Sequence, residues 1–115
     1  MASLNMEGPY SLNFKEIENC ITRTSPGNYA LGYIKEKSFR VCYVGRADND
    51  VNQRLKQWVS NTQRPQFKFS YASSPKAAFE KECNNYHDFD PPDNKIHPTR
   101  PANTNWKCPC CDVFG

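Results

Sequence analysis

GNYALGYIKEKSFRVCYVGR, residues 27–46, decides the fold. Two runs rich in aromatic and β-branched residues, 28–35 and 39–46, flank the short polar link Glu36-Lys37-Ser38. That is the pattern of two antiparallel strands joined by a tight turn. Upstream, residues 13–23 space Phe14, Ile17 and Ile21 at helical intervals, and Thr24-Ser25-Pro26-Gly27 breaks the helix before the hairpin. Downstream, Asp48-Asn49-Asp50 offers a helix cap, and residues 50–60 put Val51, Leu55, Trp58 and Val59 on one face. Residues 66–72 then alternate with period two, as a half-buried strand does. Ser73-Ser74-Pro75 opens a last helix that runs to about Phe89, with proline suited to its first turn. The order α-β-β-α-β-α predicts an α+β fold: a small central three-stranded antiparallel sheet flanked by helices.

The 115 residues, 37% of them apolar, suffice for one domain with a modest core. Its expected parts are an N-terminal helix at 13–23, a core at 26–95 and a tail at 96–115. From Asp90 onward the chain is rich in Pro, Asn and Asp and loses periodicity. The net charge of +3 permits a nucleic-acid partner without demanding one. Lys and Arg are spread along the chain with no basic block, so any nucleic-acid surface has to be assembled by folding. No apolar run is long enough to span a bilayer, and residues 1–10 lack the pattern of a signal peptide. The expectation is therefore no membrane association and, by default, a cytoplasmic location. Six cysteines in such a compartment favour metal ligation over disulfides.

The helix from Pro75 to Phe89 carries a carboxylate where none is comfortable. At about 100° per residue, Ala78 and Phe89 fall just to one side of Glu82, and Phe79 and Tyr86 just to the other. Glu82 is thus central in the apolar arc, while Glu80 points to solvent. Burying a carboxylate is costly unless it is paired. The two resolutions are a structural ion pair with an arginine and a carboxylate held at a cleft for a divalent cation.

Cys83 and His87 lie about 100° and 140° around the same wheel, one turn apart. Cys108 and Cys111 form a Cys-x-x-Cys knuckle in the tail. Together they predict a structural zinc site of three cysteines and one histidine, fastening the tail to the helix. His97 is a competing ligand, and Cys110 an alternative to its neighbours. Cys20 and Cys42 sit in apolar patterns and read as core residues.

Gly27-Asn28-Tyr29, Tyr43-Val44-Gly45, Arg54, Glu82 and Asn94 occur in this order over residues 26–95. On these residues the chain resembles the GIY-YIG nuclease superfamily. Two positions depart from the family pattern: Asn28 stands where an aliphatic residue is usual, and Trp58 where many members carry histidine. The resemblance implies a DNA endonuclease that hydrolyses phosphodiester bonds with a single Mg²⁺ or Mn²⁺ at Glu82. It further implies that Tyr29 orients or deprotonates the attacking water. Tyr43 would position that water or the phosphate, and Arg54 would brace the transition-state oxygens. Arg46 would contact a neighbouring phosphate, and Asn94 would fix the metal's shell or the active-site loop. Such a chain would act as a monomer or weak homodimer. The alternative expectation is a non-catalytic, zinc-containing module on the same fold that binds nucleic acid or protein.

Overall fold

The computed structural model describes residues 4–114. Seven elements follow in order: β1 (Glu7–Ser11), α1 (Phe14–Cys20), β2 (Gly27–Lys35), β3 (Ser38–Ala47), α2 (Val51–Trp58), β4 (Gln66–Tyr71) and α3 (Pro75–Phe89). The sheet runs β1-β4-β2-β3, with every neighbouring pair antiparallel. The fold is α+β as expected, but the sheet has four strands rather than three. The additional strand is β1, which pairs Tyr10 with Phe67 and Ser11 with Gln66 along the outer edge of β4. Its Gly8-Pro9 reads as a break in sequence. An edge strand accommodates that pair because one side needs no ladder bonds and its register slips between Glu7 and Tyr10.

The β2–β3 hairpin turns on Glu36 and Lys37, both at positive φ (53° and 66°), the geometry of the two-residue turns that match strand twist. Each helix starts on a side-chain cap. Asn13 accepts from Glu16 N, Asp50 from Asn52 N and Ser74 from Ala77 N. Helix α1 ends at Cys20, short of the expected residue 23. There Asn52 Nδ2 donates to the Ile21 carbonyl and Thr22 N–H donates to Tyr71 Oη. Tertiary partners thus replace the next helical turn.

Alternation along the strands sorts side chains to two faces. Tyr29, Leu31, Phe67 and Phe69 pack with Ile17 and Ile21 below, and with Val51 and Leu55 of α2. Ala30 and Val44 face the opposite way, toward Leu4 and toward Tyr86 and Phe89 of α3. The pairing of β3 with β2 slips between Leu31 and Gly32, leaving Cys42 as an extra residue in β3. Beyond that bulge Tyr43 and Gly45 lie on the α2 side, and Val44 and Arg46 on the α3 side. The tail returns over α3, where Trp106, Cys108, Cys111 and Phe114 gather around Phe79 and Cys83. Among the described residues no helix is long and apolar enough to cross a membrane.

Candidate active-site cleft and metal cluster

A cleft of about 780 Å³ opens across the C-terminal end of β3, one of the two edge strands of the sheet. Tyr29, Tyr43, Arg46, Arg54, Glu82 and Asn94 all line it, together with Asp48, Gln53, Gln57 and residues 95–99. The sheet edge explains how both faces reach one space. Tyr29, Tyr43 and Arg54 approach from the α2 side, and Arg46 and Glu82 come around the edge from the α3 side. Glu80 is half-exposed and lines no part of the cleft.

Tyr29 is fully buried. Its ring lies against Gly45, where a Cβ would fall 2.4 Å from the Tyr29 Cζ and Oη atoms. Any side chain at 45 would therefore push the phenol out of place. Gly27 is similarly constrained, since a Cβ there would lie 2.4 Å from the Ser70 carbonyl oxygen. Trp58 Nε1 donates to Tyr29 Oη at 2.8 Å. The Tyr43 ring stacks on Tyr29 at 6.3 Å and meets Trp58 at 4.9 Å between centroids. Arg54 lies 5.9 Å over the Trp58 ring and donates to Gln57 Oε1 at 2.8 Å. Burial pushes Tyr29 up to about 12, against the opposing pull of Arg54 and Trp58. Tyr43 is also raised, by burial first and then by the Glu82 charge.

Glu82 sits centrally on the buried face of α3, and its partner is Arg46. Arg46 Nη1 meets Glu82 Oε1 at 2.5 Å while Arg46 Nε meets Asp48 Oδ1 at 2.9 Å. The guanidinium also stacks 5.2 Å over Phe79. Of the two expected resolutions of the buried carboxylate, the structure shows the arginine pair, and that pair lies at the cleft. Burial raises the Glu82 carboxyl above its ordinary value, and Arg46 opposes that rise. Arg46, expected on a phosphate, is instead held by two carboxylates. Asp48 was legible only as part of a capping run. The structure assigns the cap to Asp50 and turns Asp48 toward Arg46.

Asn94 clamps the edge strand: its Nδ2 donates to Val44 O at 3.0 Å and its Oδ1 accepts from Val44 N at 2.8 Å. Asp93 N–H adds a bond to Cys42 O, and Arg64 holds the Asp93 carboxylate through two donors at 2.8 and 2.9 Å. Asn94 thus secures the cleft wall by imitating a fifth strand. Asn28, the departure in the first signature, is buried and donates to the Ala78 carbonyl at 2.9 Å, tying β2 to α3.

Behind residues 95–99, one ligand atom each from His87, His97, Cys108 and Cys111 lies within 4.8 Å of all the others. His87 Nε2 and His97 Nε2 are 3.3 Å apart, with Cys108 Sγ 3.4 Å from His87 and Cys111 Sγ 3.4 Å from His97. A tetrahedral ion with bonds of about 2.0–2.3 Å separates its ligands by roughly 3.3–3.8 Å. The group can hold a metal ion. Its membership corrects the expected set: His97 takes the place assigned to Cys83. The helical wheel puts Cys83 and His87 on one side of α3 but not at one depth. Cys83 is fully buried beneath the tail, and its thiol is pushed up by that burial, whereas His87 is exposed at the last turn. Burial acts to raise Cys108 too, but backbone donors at 110 and 111 and the side chains of His97 and Cys111 outweigh it, holding the thiol down at about 6. Cys110 turns outward to Asn84 Oδ1.

Comparison with protein-family models, with curated proteins and with solved structures finds no match to the chain in any of the three.

Proposed function

We propose that the chain is a small metal-dependent DNA endonuclease of the GIY-YIG type, with a structural zinc in its tail. One observation carries the reading: Tyr29, Tyr43, Arg54 and Glu82, from four separate elements, line the same cleft at an open sheet edge. Four inward polar groups are expensive as structure alone and are suited to a phosphate and a cation.

The donor set fits a divalent ion. Glu82 and Asp48 converge on a single point of positive charge, supplied by the Arg46 guanidinium. Mg²⁺ or Mn²⁺ takes one or two carboxylates and keeps several waters. Glu82 would hold it, with Asp48 beside it. When bound, such an ion supplies positive charge to the non-bridging phosphate oxygens. Tyr29 is the base of this reading: its ionised form, a minor one while burial holds the phenol at about 12, would take the proton of the attacking water. The water oxygen forms the new P–O bond, the ester P–O bond breaks, and the departing alkoxide takes a proton from solvent. Tyr43 orients the water, and Arg54 presents its donors to the phosphoryl oxygens. Were a cation to take over the Glu82 carboxylate, Arg46 would be available for an adjacent phosphate. Zinc at His87, His97, Cys108 and Cys111 would be structural, since four protein ligands leave no open position.

The test is nicking of supercoiled plasmid with and without added Mg²⁺, wild type against Glu82→Ala. Omitting Mg²⁺ is a cleaner control than chelation, which would also strip the tail. Loss of nicking in both the metal-free reaction and the variant supports the enzyme. Equal activity of wild type and Glu82→Ala removes it.

A second reading has its own support: Glu82 is neutralised by Arg46, and the Tyr29 oxygen is already engaged by Trp58. A non-catalytic nucleic-acid-binding module would show DNA retention in a mobility-shift assay with no cleavage at any Mg²⁺ concentration.

A further inference from the structure

Trp58 ends α2 with its indole N–H aimed into the protein. The Tyr29 oxygen that receives it belongs to a side chain with no exposed surface. Indole is a donor only, and the Arg54 guanidinium, which donates to Gln57 Oε1, adds a nearby positive charge. The remaining titratable neighbour of Tyr29 is Tyr43 from β3, while α1 and β4 present the apolar Ile17 and Phe69. The indole N–H engages a lone pair of the phenol oxygen. The indole donor and the Arg54 charge favour the anion and so offset part of the rise that burial imposes on the phenol, though not all of it.

We propose that Trp58 is a positioning residue for Tyr29: its Nε1–H holds the phenol oxygen and so fixes the ring over Gly45. This inference rests on the nuclease reading for its catalytic meaning, but its physical content does not. Trp58 also packs against Tyr43 in a tilted ring contact at 4.9 Å, so one side chain touches both phenols. A tryptophan that served only as packing would keep its value when the N–H was removed and the ring retained.

The experiment compares wild type with Trp58→Phe, which keeps an aromatic ring without the donor, and Trp58→His, which restores an N–H. The expected result for Trp58→Phe is a rate profile displaced by about one pH unit toward alkali, a roughly tenfold lower kcat at fixed pH. KM should stay nearly constant, and Trp58→His should recover much of the loss. A second measurement needs no turnover. In ¹⁵N spectra, Tyr29→Phe should shift the Trp58 indole resonance and speed its hydrogen exchange, with the Trp106 indole unchanged as the internal reference. If wild type cleaves nothing, the spectral result still decides whether the two side chains are joined, and only the nuclease reading falls. An unshifted Trp58 indole in Tyr29→Phe overturns the proposal. So does a Trp58→Phe enzyme with unaltered rate and pH profile.

Discussion

The cleft and the tail cluster share one helix and face opposite problems. At the cleft, α3 contributes Glu82, whose charge is already balanced by Arg46, itself shared with Asp48. At the cluster, α3 contributes His87, which meets His97 and Cys108 across gaps of 3.3 and 3.4 Å, while Cys111 meets His97 at 3.4 Å. The first group of residues is electrostatically closed without a ligand. The second is a set of soft donors gathered around a centre. A cation entering the cleft must compete with a guanidinium and so binds weakly and exchanges. A cation entering the cluster displaces nothing but protons and binds tightly.

The largest expected effect is removal of the tail metal. Purified protein should contain one zinc per chain, and stripping it, or substituting Cys108→Ser, should lower Tm by at least about 10 °C, given several kcal/mol of coupling between metal and fold. Cys83→Ala should keep its zinc, because Cys83 lies beneath the ligand set rather than in it. Loss of zinc from Cys83→Ala with retention in His97→Ala would reverse that assignment.

Next in size are the cleft substitutions. Glu82→Ala should lose Mg²⁺-dependent nicking by at least about a hundredfold while leaving zinc content unchanged, and Arg54→Ala should be comparably impaired. If Glu82→Ala releases zinc, the two regions are one cooperative site and the contrast fails.

Arg46→Met sharpens the same contrast. It leaves Glu82 as a buried carboxylate without its cation, which destabilises by about 3–5 kcal/mol. Added Mg²⁺ should restore stability in this variant far more than in wild type, read as a Mg²⁺-dependent thermal shift. Arg46→Met combined with Glu82→Gln should abolish that shift. An equal shift in all three proteins would show that Mg²⁺ does not bind at Glu82.

Smaller effects test the wall between the regions. Asn94→Ala removes two bonds to Val44 and should cost about 1–2 kcal/mol in chemical denaturation. Arg64 holds Asp93 below the ordinary carboxylate range through its hydrogen bonds. A lowered acid pKa contributes stability that is present above its unfolded value, about 3.9, and lost as pH falls through the folded one. Hydrogen exchange at the 93–94 segment should therefore accelerate below about pH 4, and Asp93→Asn should exchange faster than wild type at neutral pH. Glu80→Ala, on the outer side of α3, should be nearly silent in every assay.

Local physics made much of this protein legible in its sequence. The hairpin over residues 27–46 is encoded by two β-rich runs around a polar turn, and the starts of α2 and α3 by Asp50, Ser74 and Pro75. The place of Glu82 in an apolar arc follows from helical periodicity alone, so the cleft carboxylate could be found without coordinates. Other features depend on chain segments far apart in sequence. The strand β1 exists because β4 offers it an edge, which a Gly-Pro pair conceals. Helix α1 stops early because Asn52 and Tyr71 supply its last polar groups with partners. The wheel gives the direction of Cys83 and His87 but not their depth, and only the returning tail decides that His97, not Cys83, joins the cluster. Likewise, Arg46 could be placed next to a signature but not upon Glu82, thirty-six residues away. Periodicity and capping act over a few residues and are written in the chain itself. Charge pairing and ligand convergence are settled only when packing sets the distances between segments.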